Sequence, residues 1–192
     1  MHEVSEKMRA SRAQFLAGEA MIPVLKSERL ILRGFTWADF PSYAEMWADA
    51  SLAPLIPFAP LQASDAWAQF NLNVYAWACT GMGSFAVVDH GGVFLGTILF
   101  FRNPNAGYSE EYDRSIQAGW VFANAARGRG IASEAVEMGH CWLDSQPFGG
   151  VTVCGMDPGH GASIRVAEKA GYKLMGQDSD EWGAVQMMKR VV

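Results

Sequence analysis

The stretch "RGRGIASEA", Arg127 to Ala135, sets two glycines and two arginines directly before an alanine-rich run with helical spacing. Glycine lets backbone N–H groups approach a ligand closely. A helix N-terminus adds a partial positive charge, and Arg127 and Arg129 add whole ones. Such a set suits an anion, above all a phosphate, although the run by itself also fits a solvated turn. Other residues with chemistry follow. His160 stands between Gly159 and Gly161, and Ser163 opens a short helical run. Upstream lie Glu110, Glu111 and Asp113, and then Gln117. A carboxylate there can take a proton through a water, whereas Gln117 cannot take one at all. A solvated acidic loop is the blander reading of the same cluster.

Two familiar phosphate loops do not fit. A Walker A loop needs GxxxxGK[ST], and no such run occurs. A dinucleotide fingerprint needs GxGxxG directly after a strand. Here Gly128 and Gly130 give GxG, but Ser133 stands where the third glycine belongs. Asp157 lies too far downstream for a ribose ligand. An NAD(P)-binding oxidoreductase is therefore the weaker alternative.

The elements that must position these residues are readable in outline. The chain has 192 residues, half of them apolar, which suits one domain with a real core. Its net charge of −5 argues against nucleic acid as the main partner. Cys79, Cys141 and Cys154 are far apart and form no metal-binding spacing with the histidines, so we expect no metal and a reducing, cytoplasmic setting. The first fifteen residues carry charges throughout, unlike a signal peptide, and the most apolar stretch, "FAVVDHGGVFLGTILFF", reads as two strands and a turn, not a membrane span.

Along the chain the pattern is strand, two helices, three strands, helix, strand, helix, two strands. "RLILR" alternates as a strand. Thr36, Asp39 and Pro41 start a helix with Trp37, Phe40, Ala44 and Trp47 on one face. A second helix, from near Ser64, carries Trp67, Phe70, Val74 and Trp77. "NPNAGYSEEYD" reads as a polar loop. The strand, glycine loop, helix and strand around Arg127 form a βαβ unit with parallel strands. The expectation is one α/β domain with a mixed, mostly antiparallel sheet of six or seven strands and helices on both faces.

At these residues the chain resembles the GCN5-related N-acetyltransferase (GNAT) superfamily, in particular its branch acting on N-terminal amines of ribosomal proteins. The family loop is [Q/R]-x-x-G-x-[G/A], here Arg127, Gly128, Arg129, Gly130, Ile131 and Ala132. "SERLILR", "AGWVF", "ASEAV" and "DPGHGASIRVAEKAGYKLMG" match further features of that branch. The resemblance covers about Lys26 to Val192. It implies an N-terminal extension over 1–24, an N-acetyltransferase domain over 25–192, and transfer of acetyl from acetyl-CoA to a primary amine.

What the resemblance implies for the site is specific. Residues Arg127 to Ser133 would cradle the diphosphate of coenzyme A. Trp120, Val121 and Phe122 would run beside the pantetheine arm, with a backbone N–H near Val121 and Phe122 polarising the thioester. His160 replaces the asparagine of D-P-x-N that usually bonds that arm. The tyrosine that many members use as the acid falls on Ala167, so Ser163 is the proton donor the branch would use; as a bland alternative it caps its helix. Glu111 and Gln117 occupy the region of the base. The aromatic "LAPLIPFAP" loop, with Trp47, Phe58 and Trp67, would border the amine acceptor, although core packing is the plainer fate, above all for Trp67 and Trp77. A non-catalytic CoA-binding module is the other alternative, favoured by Gln117, His160 and Ala167. Dimers are common in the family, and no residue pattern here selects a homodimer.

Overall fold

The computed structural model describes residues 22–191. Most of the expected extension, 1–24, lies outside the described residues. Eight strands form one sheet: β1 (Leu25–Lys26), β2 (Leu30–Arg33), β3 (Ser84–Asp89), β4 (Phe94–Phe101), β5 (Ile116–Phe122), β6 (Thr152–Met156), β7 (Lys173–Asp180) and β8 (Gly183–Arg190). Their order is β1-β2-β3-β4-β5-β6-β8-β7. Every neighbouring pair is antiparallel except β5 and β6. The count exceeds the expected six or seven because β1 is two residues long, too short to show alternation.

Among the described residues five α-helices accompany the sheet: α1 (Phe40–Ala48), α2 (Ala63–Thr80), α3 (Glu110–Arg114), α4 (Ile131–Asp144) and α5 (Gly161–Lys169). Thr36 and Asp39 do form a capping box, but it opens a 3-10 turn, Trp37–Asp39, before α1 begins. That turn has about three residues per turn, so Trp37 leaves the helical phase. It is 59% exposed and stacks on Trp67, itself 45% exposed. Of the expected stripe, Trp47 is buried, with Tyr43 and Met46 beside it, and Phe40 and Ala44 pack partly buried on the same cluster. In α2, Phe70 and Trp77 are core, as the spacing predicts, and Trp67 is not.

The stretch expected as a polar loop contains α3. Ser109 caps it by accepting from the Tyr112 N–H, and Tyr112 is its one buried residue. Five residues are too few for apolar periodicity to register.

Both faces of the sheet are covered. On one, α4 and α5 bury Leu30, Phe85, Ile98 and Ile116. On the other, α1 and α2 pack Tyr43, Trp47 and Phe70 on Ala86, Val88 and Phe94. A smaller cluster of Tyr112, Val153 and Met187 lies under α3. Two bidentate ion pairs tie helices to strands. Arg33 holds Asp39 at 2.7 and 2.8 Å, and Arg190 holds Asp144 at 2.8 and 2.7 Å. Burial alone would raise the Asp39 pKa, but its bonds from Arg33 and Thr36 hold it below the ordinary carboxylate range.

Candidate active site

The site begins where the sheet fails to close. β5 and β6 pair only at Ile116 with Thr152 and Gln117 with Val153. Beyond Gln117, β5 keeps its β4 partner as far as Phe122 but has none on the β6 side. A cavity of about 550 Å³ occupies this gap. Alternate β5 side chains face opposite ways, so the gap is lined from both faces of the sheet. Trp120 and Cys154 come from the α4–α5 side, and Gln117, Val121 and Tyr112 from the other.

At one end of β5 the glycine loop starts α4. Gly128 and Gly130 have φ of 71° and 76°, left-handed values that other residues avoid. Gly130 is the N-cap, so the N–H groups of Ile131, Ala132 and Ser133 lack acceptors within the helix. The space beside Gly128 is open. Arg129 is exposed, with one weak bond to the Ala125 carbonyl at 3.4 Å. Arg127 turns back on the protein. Its Nε donates to the Phe122 carbonyl at 3.2 Å and its Nη1 to Ser51 Oγ at 2.9 Å. Its Nη2 is buried without a hydrogen-bond partner among the described residues, 3.8 Å from Asp49. Open N–H groups at the start of α4 beside the exposed Arg129 suit an anion, whereas the Arg127 guanidinium lies against Ser51 and Asp49. Glu134, also at this helix start, is bound by Ser27 and Arg29 and serves the fold. Burial works against its charge, but those partners keep its pKa low.

The start of α5 forms the next wall. Its N-cap is His160, and Ser163 sits at the third helical position. Ser163 therefore does not cap, contrary to the simpler expectation. Its Oγ accepts from Trp120 Nε1 at 3.3 Å and lies 3.0 Å from His160 Nε2. Burial lowers the His160 pKa, a nearby Asp157 charge opposes that, and Arg127 adds to it. Ala167 is fully buried in the core and has no place in the cavity.

The other wall is aromatic and polar. Trp47 and Phe58 contact each other, with ring centroids 5.6 Å apart, and both line the cavity, as do Asp180 and Trp182 from the β7–β8 turn. Tyr43 Oη donates to Gln69 at 3.1 Å and accepts from Asn73 Nδ2 at 3.0 Å, and Asn73 in turn accepts from Ser84. Burial pushes the Tyr43 pKa up to about 12, so it stays a neutral donor. Asp180 accepts from Tyr108 Oη at 2.6 Å, which lowers its pKa.

The two residues expected near the base separate. Gln117 is buried in the cavity wall and donates to the Asn103 carbonyl at 3.0 Å. Glu111 is 55% exposed, pairs with Lys189 at 2.8 Å and does not line the cavity. Sequence reasoning missed Tyr112, whose hydroxyl lies so near β6 that a Cβ on Gly155 would come within 3.0 Å of it. The Ser109 cap three residues ahead was its one available signal. Tyr43, Asn73 and Asp180 gave no sequence signal, because they meet only across the folded cavity.

Among the described residues, no cluster of side chains could hold a metal ion, and no helix is long and apolar enough to cross a membrane. No curated protein matches the chain. Solved structures do. A protein of Bordetella pertussis described as a GnaT-family acetyltransferase is 23% identical, with a TM-score of 0.76 over 88% of this chain and 99% of its own. RimL, a ribosomal L7/L12 alpha-N-protein acetyltransferase in complex with coenzyme A, is 15% identical with a TM-score of 0.74, over 88% and 98%. An aminoglycoside acetyltransferase in complex with coenzyme A is 20% identical with a TM-score of 0.70, over 84% and 94%. At these identities the likeness shows the fold. The acetyltransferase (GNAT) domain family itself matches residues 29–173, three-quarters of the sequence, and so the chain belongs to that family and is an N-acetyltransferase.

Proposed function

We propose that the chain moves acetyl from acetyl-CoA to a primary amine, either a protein or peptide N-terminus or a small-molecule amine, by direct attack in a ternary complex. One observation carries this reading: the parallel pair β5–β6 opens after Gln117, directly beside an anion cradle at the start of α4. The opened edge of β5, Trp120 to Phe122, suits an extended amide-bearing arm, and the cradle from Arg127 to Ser133 suits its diphosphate. Val121 and Phe122 supply backbone groups to polarise a thioester. Ser163 faces the cavity as proton donor to the leaving sulfur.

The acceptor enters from the aromatic wall. Trp47, Phe58 and Trp182 surround apolar groups, while Asp157 and Asp180 attract a cation. Gln117 takes no proton, and Glu111 stands outside the cavity, so the amine attacks from its own neutral fraction. At pH 7 that is about one molecule in ten for an α-amine but fewer than about one in a thousand for a lysine, from pKa values of about 8 and 10.4. An N-terminal or similarly weakly basic amine is therefore favoured. RimL, described as an alpha-N-protein acetyltransferase, and the aminoglycoside acetyltransferase represent the two kinds of acceptor, a protein N-terminus and a small-molecule amine. Three free cysteines and a co-substrate of the cell interior fit the cytoplasm.

Thermal unfolding with saturating acetyl-CoA, and with NADH and ATP as controls, tests the reading. Acetyl-CoA at a hundred times its Kd adds about 2.7 kcal/mol, a shift of several degrees. Only acetyl-CoA should give it, and Gly130→Glu should abolish it. Turnover of an amine and peptide panel then separates an enzyme from a silent CoA-binding module. A shift with NADH alone would sink the proposal.

A further inference from the structure

Trp120, Ser163 and His160 form a chain of hydrogen bonds at the cavity. The indole Nε1–H of Trp120 can only donate, so it fills one acceptor position of Ser163 Oγ. The Ser163 proton is then free for His160 Nε2, 3.0 Å away. His160 can receive it because partial burial at the N-cap of α5 favours the neutral ring. The charged groups that act on the ring are Asp157, on the loop before α5, and Arg127, on the loop after β5; they pull its protonation in opposite directions. With Nε2 accepting, the second ring nitrogen, Nδ1, carries the imidazole proton.

Acetyl transfer needs such a chain. When a neutral amine attacks a thioester, the new C–N bond leaves an excess proton on nitrogen, and the breaking C–S bond leaves sulfur short of one. Gln117 can mediate neither transfer, and Asp180 is already bound by Tyr108 and by the Trp182 N–H. We propose that His160 is a positioning residue that, through Ser163, relays the proton of the acceptor nitrogen to the departing sulfur. The nitrogen gives its proton to Ser163 Oγ as Ser163 passes its own to His160 Nε2. When the C–S bond breaks, His160 returns a proton to Ser163 and Ser163 gives one to sulfur. Both side chains end as they began, and one proton has moved from nitrogen to sulfur. Trp120 keeps the Ser163 hydroxyl aimed at His160 throughout.

The proposal rests on the acetyltransferase reading, and its tests keep the two apart. For His160→Asn, kcat at saturation of both substrates should fall about a hundredfold, within the usual span for acid–base catalysis. Acetyl-CoA Kd, measured by calorimetry, should stay within about threefold. In the wild type, kcat should decline towards acid pH as His160 takes up a proton, at a pH below that of an ordinary histidine, and that limb should vanish in His160→Asn. A readout without substrate completes the test: the ring nitrogens of His160, followed by NMR in the free protein, should titrate at a different pH in Ser163→Ala. This last measurement needs no folded His160 variant. A His160→Asn protein with unchanged kcat overturns the relay, as does one that loses CoA affinity while kcat at saturation is kept. A titration indifferent to Ser163→Ala overturns it too. Wild-type protein that binds no acetyl-CoA overturns the acetyltransferase reading itself.

Discussion

The two sides of the cavity are built by opposite means. The side proposed to take the donor uses backbone: the opened edge of β5, two left-handed glycines and the first turn of α4. The side proposed to take the acceptor uses side chains from α1, α2, the loop after α1 and the β7–β8 turn, drawn from distant parts of the chain. A backbone cradle depends on local conformation and is written in a few neighbouring residues. A side-chain wall depends on packing and is written nowhere in particular. One half can therefore stay fixed while the other varies with the substrate.

Acid should strike the donor half hardest, which makes this the largest effect expected. His140 is buried in α4, bonded to the Val136 carbonyl and to Tyr172 Oη, both at 2.8 Å. Burial lowers its pKa to about 4, with Arg190 adding to that and the Val136 bond and Asp144 opposing it. The folded pKa lies below the unfolded value of about 6.5, so the unfolded chain takes the proton first. Stability is full above pH 6.5 and is lost as pH falls towards 4, by up to about 3 kcal/mol. Urea unfolding as a function of pH reads this directly. A flat profile from 6.5 to 4 would show that the packing of α4 is not held by a neutral His140.

Phe58→Ala should touch only the acceptor half. Phe58 is already 47% exposed, so its loss costs the fold little. Its contact with a bound acceptor is worth about 1–1.5 kcal/mol, half of a full phenylalanine burial. The acceptor KM should rise about tenfold while acetyl-CoA Kd holds. Equal changes in both would break the division into halves. The smallest effect belongs to Glu111→Gln. Its exposed pair with Lys189 is worth at most about 1 kcal/mol, and kcat should change less than about twofold. A large loss of kcat would restore Glu111 as a base.

The same contrast explains what the sequence disclosed. The strands, the βαβ unit and the Thr36–Asp39 start all rest on residues within a few positions of one another. The failures are equally physical. Trp37 left its stripe because a 3-10 turn changes the angle per residue. Tyr112 hid in a helix too short to show a period. Capping, the plainer of the two readings of Ser163, fails because His160 holds that position and Ser163 turns to the cavity. The meeting of Tyr43, Asn73 and Asp180 across the cavity is a product of tertiary structure alone.

The narrow join of β5 to β6 has a consequence beyond catalysis. Two residue pairs are all that stitch the β1–β5 half of the sheet to the β6–β8–β7 half at that seam. On the proposed reading, acetyl-CoA lies along the seam and completes it as a missing strand would. Each bound molecule then acts as mortar, and the chain's resistance to unfolding rises and falls with the supply of its own co-substrate. Proteolytic susceptibility follows that resistance, so acetyl-CoA should slow cleavage of the folded chain.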